Sequence, residues 1–468
     1  MTGNPRRPNV LLVVWDCVRA DHVSCNGYSR QTTPFLESLA AEGVLFEQAF
    51  ASAMWTVPSH ASLFTCTHEC QHEARDGRAL LDDRLVTLAE ALAQAGYRTA
   101  GFSNNGWIGP RTGLSRGFTD FHEMFREDGH NTPGAWLKRL GRKAATQLGY
   151  RGFLDAERTN RAVQTWLDQR QDATEPFFIF VHYNEAHARC NPPPPYNHRF
   201  LSRVEARRAL SVNQDPYAYL AGAAPMSAED FALLTGLYDG AIAYLDDKVR
   251  ELAELLQRRG LLDDTLLVVT ADHGENLGEH GLLGHVFCVY DTLLHVPLIM
   301  RYPPAWAGGE RIKTLVQSVD IFATVADLLQ LDAPAVMRQL QGYSLLPGVS
   351  NYHPDFVVSE RAQRSLAKPF RDYPSFDYSG LERAQRAIRT LHYKYIWASD
   401  GKCELYDIQA DPGETHNIIQ QHPDLAEEMR AKLFDWRGRH AASVAADDAA
   451  PDLDEDLLRR LRELGYIE

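Results

Sequence analysis

The sequence contains neither a long apolar run nor the pattern of a secretory leader. No stretch approaches the roughly 18 consecutive apolar residues that a transmembrane helix requires, so we expect no membrane span. Two arginines near the start precede a short apolar run that ends at Asp16, and this run is too short for a secretory core. We therefore expect a cytoplasmic protein.

Positive charge and paired cysteines are also scarce. The 48 Lys and Arg residues are outnumbered by 62 Asp and Glu residues, which gives a net charge of −14. Nucleic acids and anionic membranes favour the opposite sign, so neither is an expected partner. The net negative charge is compatible with an anionic substrate, because a metal ion can make the electrostatic potential positive within one cleft. The seven cysteines are odd in number and scattered, which favours reduced thiols over a disulfide framework.

Apolar runs alternating with amphipathic segments indicate the fold class. Buried strands are predicted over residues 10–15, 177–182 and 266–270, and helices over 34–42, 85–95, 231–259 and 319–331. Strands that alternate with helices predict an α/β protein with a large, mostly parallel sheet covered by helices on both faces. Short segments at 393–398 and 403–407 predict a small C-terminal antiparallel sheet, followed by a helix over 423–440.

These patterns divide the chain into three parts. A catalytic domain is expected over 1–350, with a Pro- and Arg-rich surface excursion or lid over 188–230. A small subdomain follows over 351–440, and a linker with a terminal amphipathic helix occupies 441–468. We expect that helix to dock on its own body. The alternative is a partner subunit, which would make the protein a homo-oligomer.

Functional side chains follow two of the predicted strands. Asp16 directly follows one strand, and Asp272 and His273 follow another. Functional groups in open α/β sheets lie beyond the carboxyl ends of the strands. Two carboxylates and a histidine at two strand ends therefore form a candidate metal site, although a strand-end Asp is often only a helix cap. His182 lies within a predicted strand and is expected to be a core residue.

The hydroxyl-rich segment around Thr56 is the third candidate element. Thr56 is predicted to lie at the start of a helix, where backbone N–H groups and the helix dipole attract an anion. The hydroxyl either caps this helix or acts as a nucleophile whose pKa is lowered by a metal ion.

Seven segments, spread along almost the whole chain, carry a resemblance to a known family and occur in the same order as in that family. They are NVLLVVWDCVRADHVSCNGY, TVPSHASLFT, YRTAGF, HYNEAH, TADHGENLGEHGLLGH, VPLIMRYP and ELYDIQADPGETHNI. Together they resemble the sulfatase family of the alkaline phosphatase superfamily. The resemblance implies that family's fold, with a central sheet and a small C-terminal sheet domain. It also implies that Asp16, Asp272, His273 and the Thr56 oxygen bind one metal ion, and that Thr56 is the nucleophile.

Five further side chains are candidates for contact with the substrate. The resemblance implies that His187 faces a substrate oxygen and that His285 faces the leaving group. His60 replaces the arginine of the nucleophile motif, and we expect it to contact an oxygen of the substrate. Asn104 lies where the family has its Gly-Lys-x-His segment and is expected to bind substrate. Arg19 either contacts an oxyanion or forms a salt bridge.

Departures from the family pattern indicate a different chemistry. Sulfatases oxidise a Cys or Ser at the nucleophile position to formylglycine, but the Cβ methyl group of Thr56 prevents formation of that aldehyde. We therefore expect no formylglycine and an unmodified threonine, as in the single-metal threonine branch of the superfamily, whose enzymes handle phosphodiesters. His273 favours zinc or manganese, with calcium or magnesium as alternatives. Cys17 takes the place of the family's second early Asp.

The sequence predicts a metal-dependent hydrolase that cleaves a sulfate or phosphate ester of a small molecule, saccharide or lipid head group. The threonine narrowly favours phosphate. One alternative is a phosphoryl-group transferase of the same fold. Another is a catalytically idle protein that binds an anionic sugar or lipid head group. The missing family Arg and Lys favour the idle binder, whereas the retained nucleophile and metal set oppose it.

Overall fold

The computed structural model describes residues 7–125, 155–170, 174–331, 333–348 and 354–441. The predicted terminal helix and all of its linker beyond residue 441 lie outside these residues, as does the homo-oligomer contact predicted through that helix. Among the described residues, no helix combines the length and the apolar character needed to cross a membrane.

A large sheet of eight strands forms the centre of the protein, and a two-stranded ribbon lies beside it. The sheet strands are β1 (Asn9–Trp15), β2 (Val44–Phe50), β3 (Arg98–Ser103), β4 (Asp120–Glu123), β5 (Phe177–Tyr183), β6 (Thr265–Ala271), β9 (Leu298–Arg301) and β10 (Glu310–Gln317), and the ribbon pairs β7 (Asn276–Leu277) with β8 (Leu283–Gly284). The sheet order is β10–β2–β9–β6–β1–β5–β3–β4, and β9 runs antiparallel to both of its neighbours while the other pairs are parallel. This arrangement confirms the predicted mostly parallel sheet.

Helices cover both faces of this sheet. Alternate side chains of β1 enter two different apolar cores, with Leu12 in one core and Leu11 in the other. Period-two alternation places successive side chains on opposite faces, so a strand buried on both sides must be apolar throughout. The helices are α1 (Pro34–Glu42), α2 (Thr56–Thr65), α3 (Glu69–His72), α4 (Leu88–Gln94), α5 (Asp155–Asp168), α6 (Arg203–Ala209), α7 (Pro216–Leu220), α8 (Ala228–Arg258), α9 (Asp291–Leu294), α10 (Asp320–Leu328), α11 (Pro334–Gln339) and α12 (Pro423–His440).

Helix boundaries differ from the predicted ones where capping decides them. The helix predicted over 85–95 begins at Leu88, because Thr87 and Glu90 form a capping box. The helix predicted from residue 231 begins at Ala228, because Ser227 and Asp230 form another. Periodicity reports the apolar face of a helix and not the hydrogen bonds at its ends.

A small antiparallel sheet follows the large one along the chain. Its strands, in sheet order, are β11 (Val357–Arg361), β12 (Gln385–Arg389), β13 (Tyr393–Ala398) and β14 (Glu404–Asp407). Helix α12 packs on this sheet through Met429, Leu433 and other apolar side chains that share its core. The predicted C-terminal sheet is therefore confirmed, while the domain boundary near residue 350 and the lid role of 188–230 remain predictions.

The register of the central strands positions the candidate site. Trp15, the last residue of β1, lies opposite Tyr183 of β5 and Ala271 of β6. The backbone N–H of Asp16 donates to the Tyr183 carbonyl at 2.8 Å, and that of Asp272 donates to the Trp15 carbonyl at 3.2 Å. The two aspartates are therefore neighbours at the carboxyl edge of the sheet.

One buried ion-pair network connects the small sheet to the large domain. Nζ of Lys394 lies 2.7 Å from a carboxylate oxygen of Asp291 and 2.7 Å from one of Glu414. Lys394→Ala removes the cation between two buried carboxylates, so we expect the free energy of unfolding to fall by about 3–5 kcal/mol. Urea denaturation measures this change. Lys402→Ala, at an exposed position, should change it by less than about 0.5 kcal/mol. Equal stability of the two variants would contradict a stabilising role for the Lys394 ion pairs.

Close packing behind β6 allows no side chain at Gly274. A Cβ atom there would lie 2.1 Å from the Thr292 carbonyl oxygen and 2.8 Å from Cγ of Arg19. Gly274→Ala must therefore displace the turn that follows His273, and we expect a loss of about 1–3 kcal/mol in thermal or urea unfolding. Gly438→Ala is the matched control, because its Cβ meets nothing within 4 Å and a helical alanine is favoured. A Gly274→Ala variant as stable as the control would refute this packing argument.

Candidate active site and its metal ligands

Three of the predicted metal ligands converge at the carboxyl edge of the large sheet. Nε2 of His273 lies 3.6 Å from Oδ1 of Asp16 and 3.5 Å from Oδ2 of Asp272. All three side chains are buried. The strand register brings the two aspartates together, and His273 follows Asp272 directly in the chain. The backbone therefore fixes the positions of all three residues.

The chemistry of these atoms fits a divalent ion. Within the described residues, Oδ2 of Asp272 and Nε2 of His273 are buried and make no hydrogen bond. Buried polar atoms normally have a partner, so two such atoms directed at each other require an explanation. Tetrahedral ligands about 2.1 Å from zinc lie roughly 3.4 Å apart, which is close to the separations found here. A metal ion would satisfy both atoms at once.

The pKa values of the two carboxyl groups are shifted in opposite directions. Burial favours the neutral acid, but contact with His182 and the nearby His187 hold the pKa of Asp16 well below its usual value. Burial and the charge of Asp16 raise the pKa of Asp272 well above its usual value. Without a cation, the pair therefore prefers one charged and one neutral member. A divalent ion between them would allow both to ionise.

Thr56 begins helix α2 beside this cluster. Every residue of α2 is buried, and the preceding residue, Trp55, provides no side-chain cap. The Asn105 amide lies 3.3 Å from the Thr56 hydroxyl oxygen and donates to Oδ2 of Asp16 at 2.9 Å. The Ser59 hydroxyl donates to the Asp272 carbonyl at 2.6 Å and joins the helix to β6. The Thr56 hydroxyl thus shares the Asn105 amide with Asp16 and lies at a helix N-terminus, where the backbone attracts an anion.

His187 and His285 lie on another side of the same cluster. The His285 ring centroid is 4.6 Å from that of His273 and 5.0 Å from that of His187. Nδ1 of His285 contacts Oε1 of Glu275 at 3.1 Å and Sγ of Cys17 at 3.7 Å, and so its Nε2 is the nitrogen left for a substrate. Burial lowers the pKa of His285 to about 4. A bound anionic ester would raise that pKa, because a nearby negative charge favours imidazolium.

Three predicted substrate contacts have other partners. The Arg19 guanidinium binds Asp21 and Glu279 and donates to the Glu275 carbonyl, which is the salt-bridge alternative. His60 is fully buried, and its Nδ1 lies 2.9 Å from the Thr56 carbonyl oxygen. The Asn104 amide donates to the Thr159 hydroxyl at 3.0 Å and the His182 carbonyl at 2.7 Å. The structure therefore does not bring the Arg19 guanidinium or the Asn104 amide nitrogen to the Thr56 hydroxyl.

Four residues that received no site role from the sequence lie in the cluster. Asn105 contacts Asp16 and Thr56, and Nε2 of His182, expected in the core, lies 3.4 Å from Oδ2 of Asp16. Strand register carries the signal for His182, because Val14 and His182 are partners across β1 and β5. The other two residues are adjacent to recognised motif positions: Cys17 and Glu275.

The small sheet also reaches this site. Nε of Arg361, on β11, donates to the carbonyl of Val286 at 2.7 Å, directly after His285. The Arg364 guanidinium lies 5.8 Å from the ring centroid of Trp55, directly before Thr56. Neither arginine could be assigned a role from the sequence, because both are remote from the motifs in the chain.

Comparison with known proteins agrees with this geometry. The family described as Sulfatase matches residues 8–331, and the family described as N-sulphoglucosamine sulphohydrolase, C-terminal, matches residues 278–439. Arylsulfatase K of Bos taurus is 24% identical over 466 residues, covering 92% of this chain and 81% of that protein. The multifunctional alkaline phosphatase superfamily protein PehA of Trinickia caryophylli is 26% identical over 500 residues, covering 93% and 96%.

A solved structure shares the fold. The phosphonate monoester hydrolase of Agrobacterium radiobacter superposes with a TM-score of 0.72 at 23% identity, covering 93% of this chain and 96% of that one. The Sulfatase match spans more than half of the present chain, and the motif residues Asp16 and Asp272 meet at one edge of the sheet. The chain therefore belongs to the sulfatase family of the alkaline phosphatase superfamily and is a sulfatase-like hydrolase of ester bonds.

Proposed function

We propose that this protein is a metal-dependent hydrolase of phosphate or sulfate esters that uses Thr56 as an unmodified nucleophile. The observation that carries the proposal is the position of the Thr56 hydroxyl, which begins a buried helix and is joined through Asn105 to Asp16. The extra methyl group on Cβ prevents the formylglycine route, so the alcohol itself must react. The proposed substrate is an ester of a small molecule, a saccharide or a lipid head group, and a cytoplasmic location remains a prediction.

Asp16, Asp272, His273 and the Thr56 oxygen would hold one divalent ion, with zinc or manganese preferred over calcium or magnesium. When bound, such an ion supplies positive charge that favours the alkoxide over the alcohol and balances a non-bridging oxygen of the ester. The backbone N–H groups at the uncapped N-terminus of α2 carry partial positive charge and would attract the same anionic oxygen of the ester. These residues therefore favour an anionic group directly in front of Thr56.

The reaction takes place in two steps on this chain. The Thr56 hydroxyl gives its proton to solvent, and its oxygen attacks phosphorus or sulfur in line with the leaving oxygen. The bond to the leaving alcohol breaks, and His285 or His187 gives a proton to that alcohol. Water then attacks the Thr56 ester, gives a proton back to the same histidine and releases the threonine oxygen, which regains a proton from solvent. An acceptor alcohol in place of water would make the protein a phosphoryl-group transferase.

Phosphorus is the narrowly preferred centre. The relatives include an arylsulfatase, a multifunctional superfamily protein and a phosphonate monoester hydrolase. An unmodified threonine and a histidine ligand support phosphoryl chemistry, whereas the family name supports sulfate. An idle binder of an anionic sugar or lipid head group remains the second candidate, favoured by the absence of the family Arg at His60. The binder has no use for a nucleophile surrounded by candidate metal ligands.

The nucleophile is tested by Thr56→Ala on p-nitrophenyl phosphate, phosphonate, phosphodiester and sulfate, each with Zn²⁺, Mn²⁺ and Ca²⁺. Removing the nucleophile of such a unit costs on the order of 10³-fold or more, so we expect kcat/KM to fall by at least that factor. Thr165→Ala, at an exposed position on α5, is the control and should retain full activity. Substantial activity of Thr56→Ala excludes this nucleophile, and inactivity of the wild-type protein on every ester with every metal supports the binder.

The two neighbouring asparagines provide a second test. Asn105→Ala removes the amide that joins Asp16 to Thr56 and accepts the Trp107 N–H, so we expect kcat/KM to fall by about 10–100-fold and the free energy of unfolding to fall by about 1–3 kcal/mol. Asn104→Ala removes hydrogen bonds to Thr159 and to the His182 carbonyl, and should lower the free energy of unfolding by a similar amount while the folded variant keeps its kcat/KM. Steady-state kinetics and urea denaturation separate the two effects. Loss of activity in Asn104→Ala at unchanged stability would return the substrate-binding role to Asn104.

A further inference from the structure

Cys17 lies inside the candidate metal cluster. It directly follows Asp16, and its φ of 64° lies in the left-handed region that few residues other than glycine adopt. Its side chain is buried, and Sγ lies 3.2 Å from Oδ1 of Asp16. Its backbone N–H donates to Oδ1 of Asp272 at 3.2 Å. The thiol is therefore held among the same atoms that would bind the metal.

The geometry around Cys17 matches a set of metal ligands. Asp16, Cys17 and His273 each offer a ligand atom, and the three atoms lie within 4.8 Å of one another. Oδ2 of Asp272 joins them at 3.5 Å from Nε2 of His273. These last two atoms are buried and make no hydrogen bond among the described residues, which is independent support for an ion at this place.

We propose that Cys17 is a thiolate ligand of the same metal ion as Asp16, Asp272 and His273, and that it makes the centre selective for zinc. This inference rests on the proposed function, because it concerns the ion that the function requires. On binding, the Sγ–metal bond forms and the thiol proton leaves to solvent. Thiolate ligands favour zinc, whereas calcium, magnesium and manganese favour sites built of oxygen.

The same thiol also faces a second group. Cys17, His187 and His285 have ligand atoms that all lie within 4.8 Å of one another. An ion held there would remove both histidines from proton transfer to the leaving alcohol. The single-centre assignment keeps Cys17 with the two aspartates and leaves His187 and His285 available for the substrate. The number of ions bound by each chain therefore distinguishes the two arrangements.

Cobalt substitution tests the ligand directly. Apoprotein loaded with Co²⁺ should show a thiolate-to-cobalt charge-transfer band in the near ultraviolet together with visible d–d bands. In Cys17→Ser the charge-transfer band should disappear while the d–d bands persist. Cys25→Ser alters another buried cysteine and should leave both sets of bands unchanged. Circular dichroism verifies that each variant is folded.

Metal affinity provides the second measurement. Elemental analysis should find one zinc ion per wild-type chain, and Cys17→Ser should weaken zinc binding by at least about tenfold. Cys17→Asp supplies a hard oxygen ligand and should shift the preference from zinc toward manganese or calcium. This variant keeps the test informative if the serine variant does not fold.

Three results would overturn the assignment or its foundation. A wild-type protein that binds one ion without a charge-transfer band, and whose zinc affinity Cys17→Ser leaves unchanged, refutes the role of Cys17 alone. Two thiolate-dependent ions per chain would move Cys17 to a second centre and also refute the assignment. A wild-type protein that binds no divalent ion at all would instead remove the metal on which the proposed function depends.

Discussion

The candidate site depends on two buried carboxylates, those of Asp16 and Asp272, which the strand register holds side by side. Trp15 pairs with Ala271 across β1 and β6, so Asp16 and Asp272 emerge at neighbouring positions of one sheet edge. Burying two such charges without a cation is unfavourable, because both lose hydration and repel each other. In our proposal, His273 and the Cys17 thiol bind the ion that resolves this conflict. The site is then a consequence of sheet geometry, with Thr56 brought to it by a helix attached through Ser59.

The site also depends on the fact that several segments of the chain reach the carboxyl edge of the large sheet. Residues from β1, β5 and β6 and the loop after β3 all contribute side chains, because parallel strands present their carboxyl ends at one edge. Arg361 and Arg364 of the small subdomain contact the residues next to His285 and Thr56. The small sheet therefore supports the loops of the candidate site as well as packing its own core. The buried Lys394 network connects it to the large domain.

Periodicity predicted most of this fold because the sheet is buried on both faces. The runs that became β1, β5 and β6 are mostly apolar, as strands buried on both faces require, and His182 and Thr270 are the polar exceptions within the predicted ranges. The ends of the helices were less predictable, since capping boxes at Thr87 and Ser227 moved them by three residues. Strand order also lay beyond the sequence, because a hydrophobic pattern does not state which strands are neighbours.

The candidate site was predictable where a residue follows a strand and less so where partners come from other elements. Asp16, Asp272 and His273 lie together as their strand-end positions indicated. Asn105 and Asn104 are adjacent and chemically identical, and only the fold shows which amide faces Thr56. Arg19 had two open interpretations, and its guanidinium forms the salt bridges of one of them, with Asp21 and Glu279.

The central claim is that Thr56 carries the transferred group during turnover. Peptide mass spectrometry of protein quenched with acid at saturating substrate tests it most directly. The account predicts that the peptide containing residue 56 carries one phosphoryl, phosphonyl or sulfonyl group on an otherwise unmodified threonine. An active protein whose Thr56 stays free throughout turnover while another residue carries the group would contradict it.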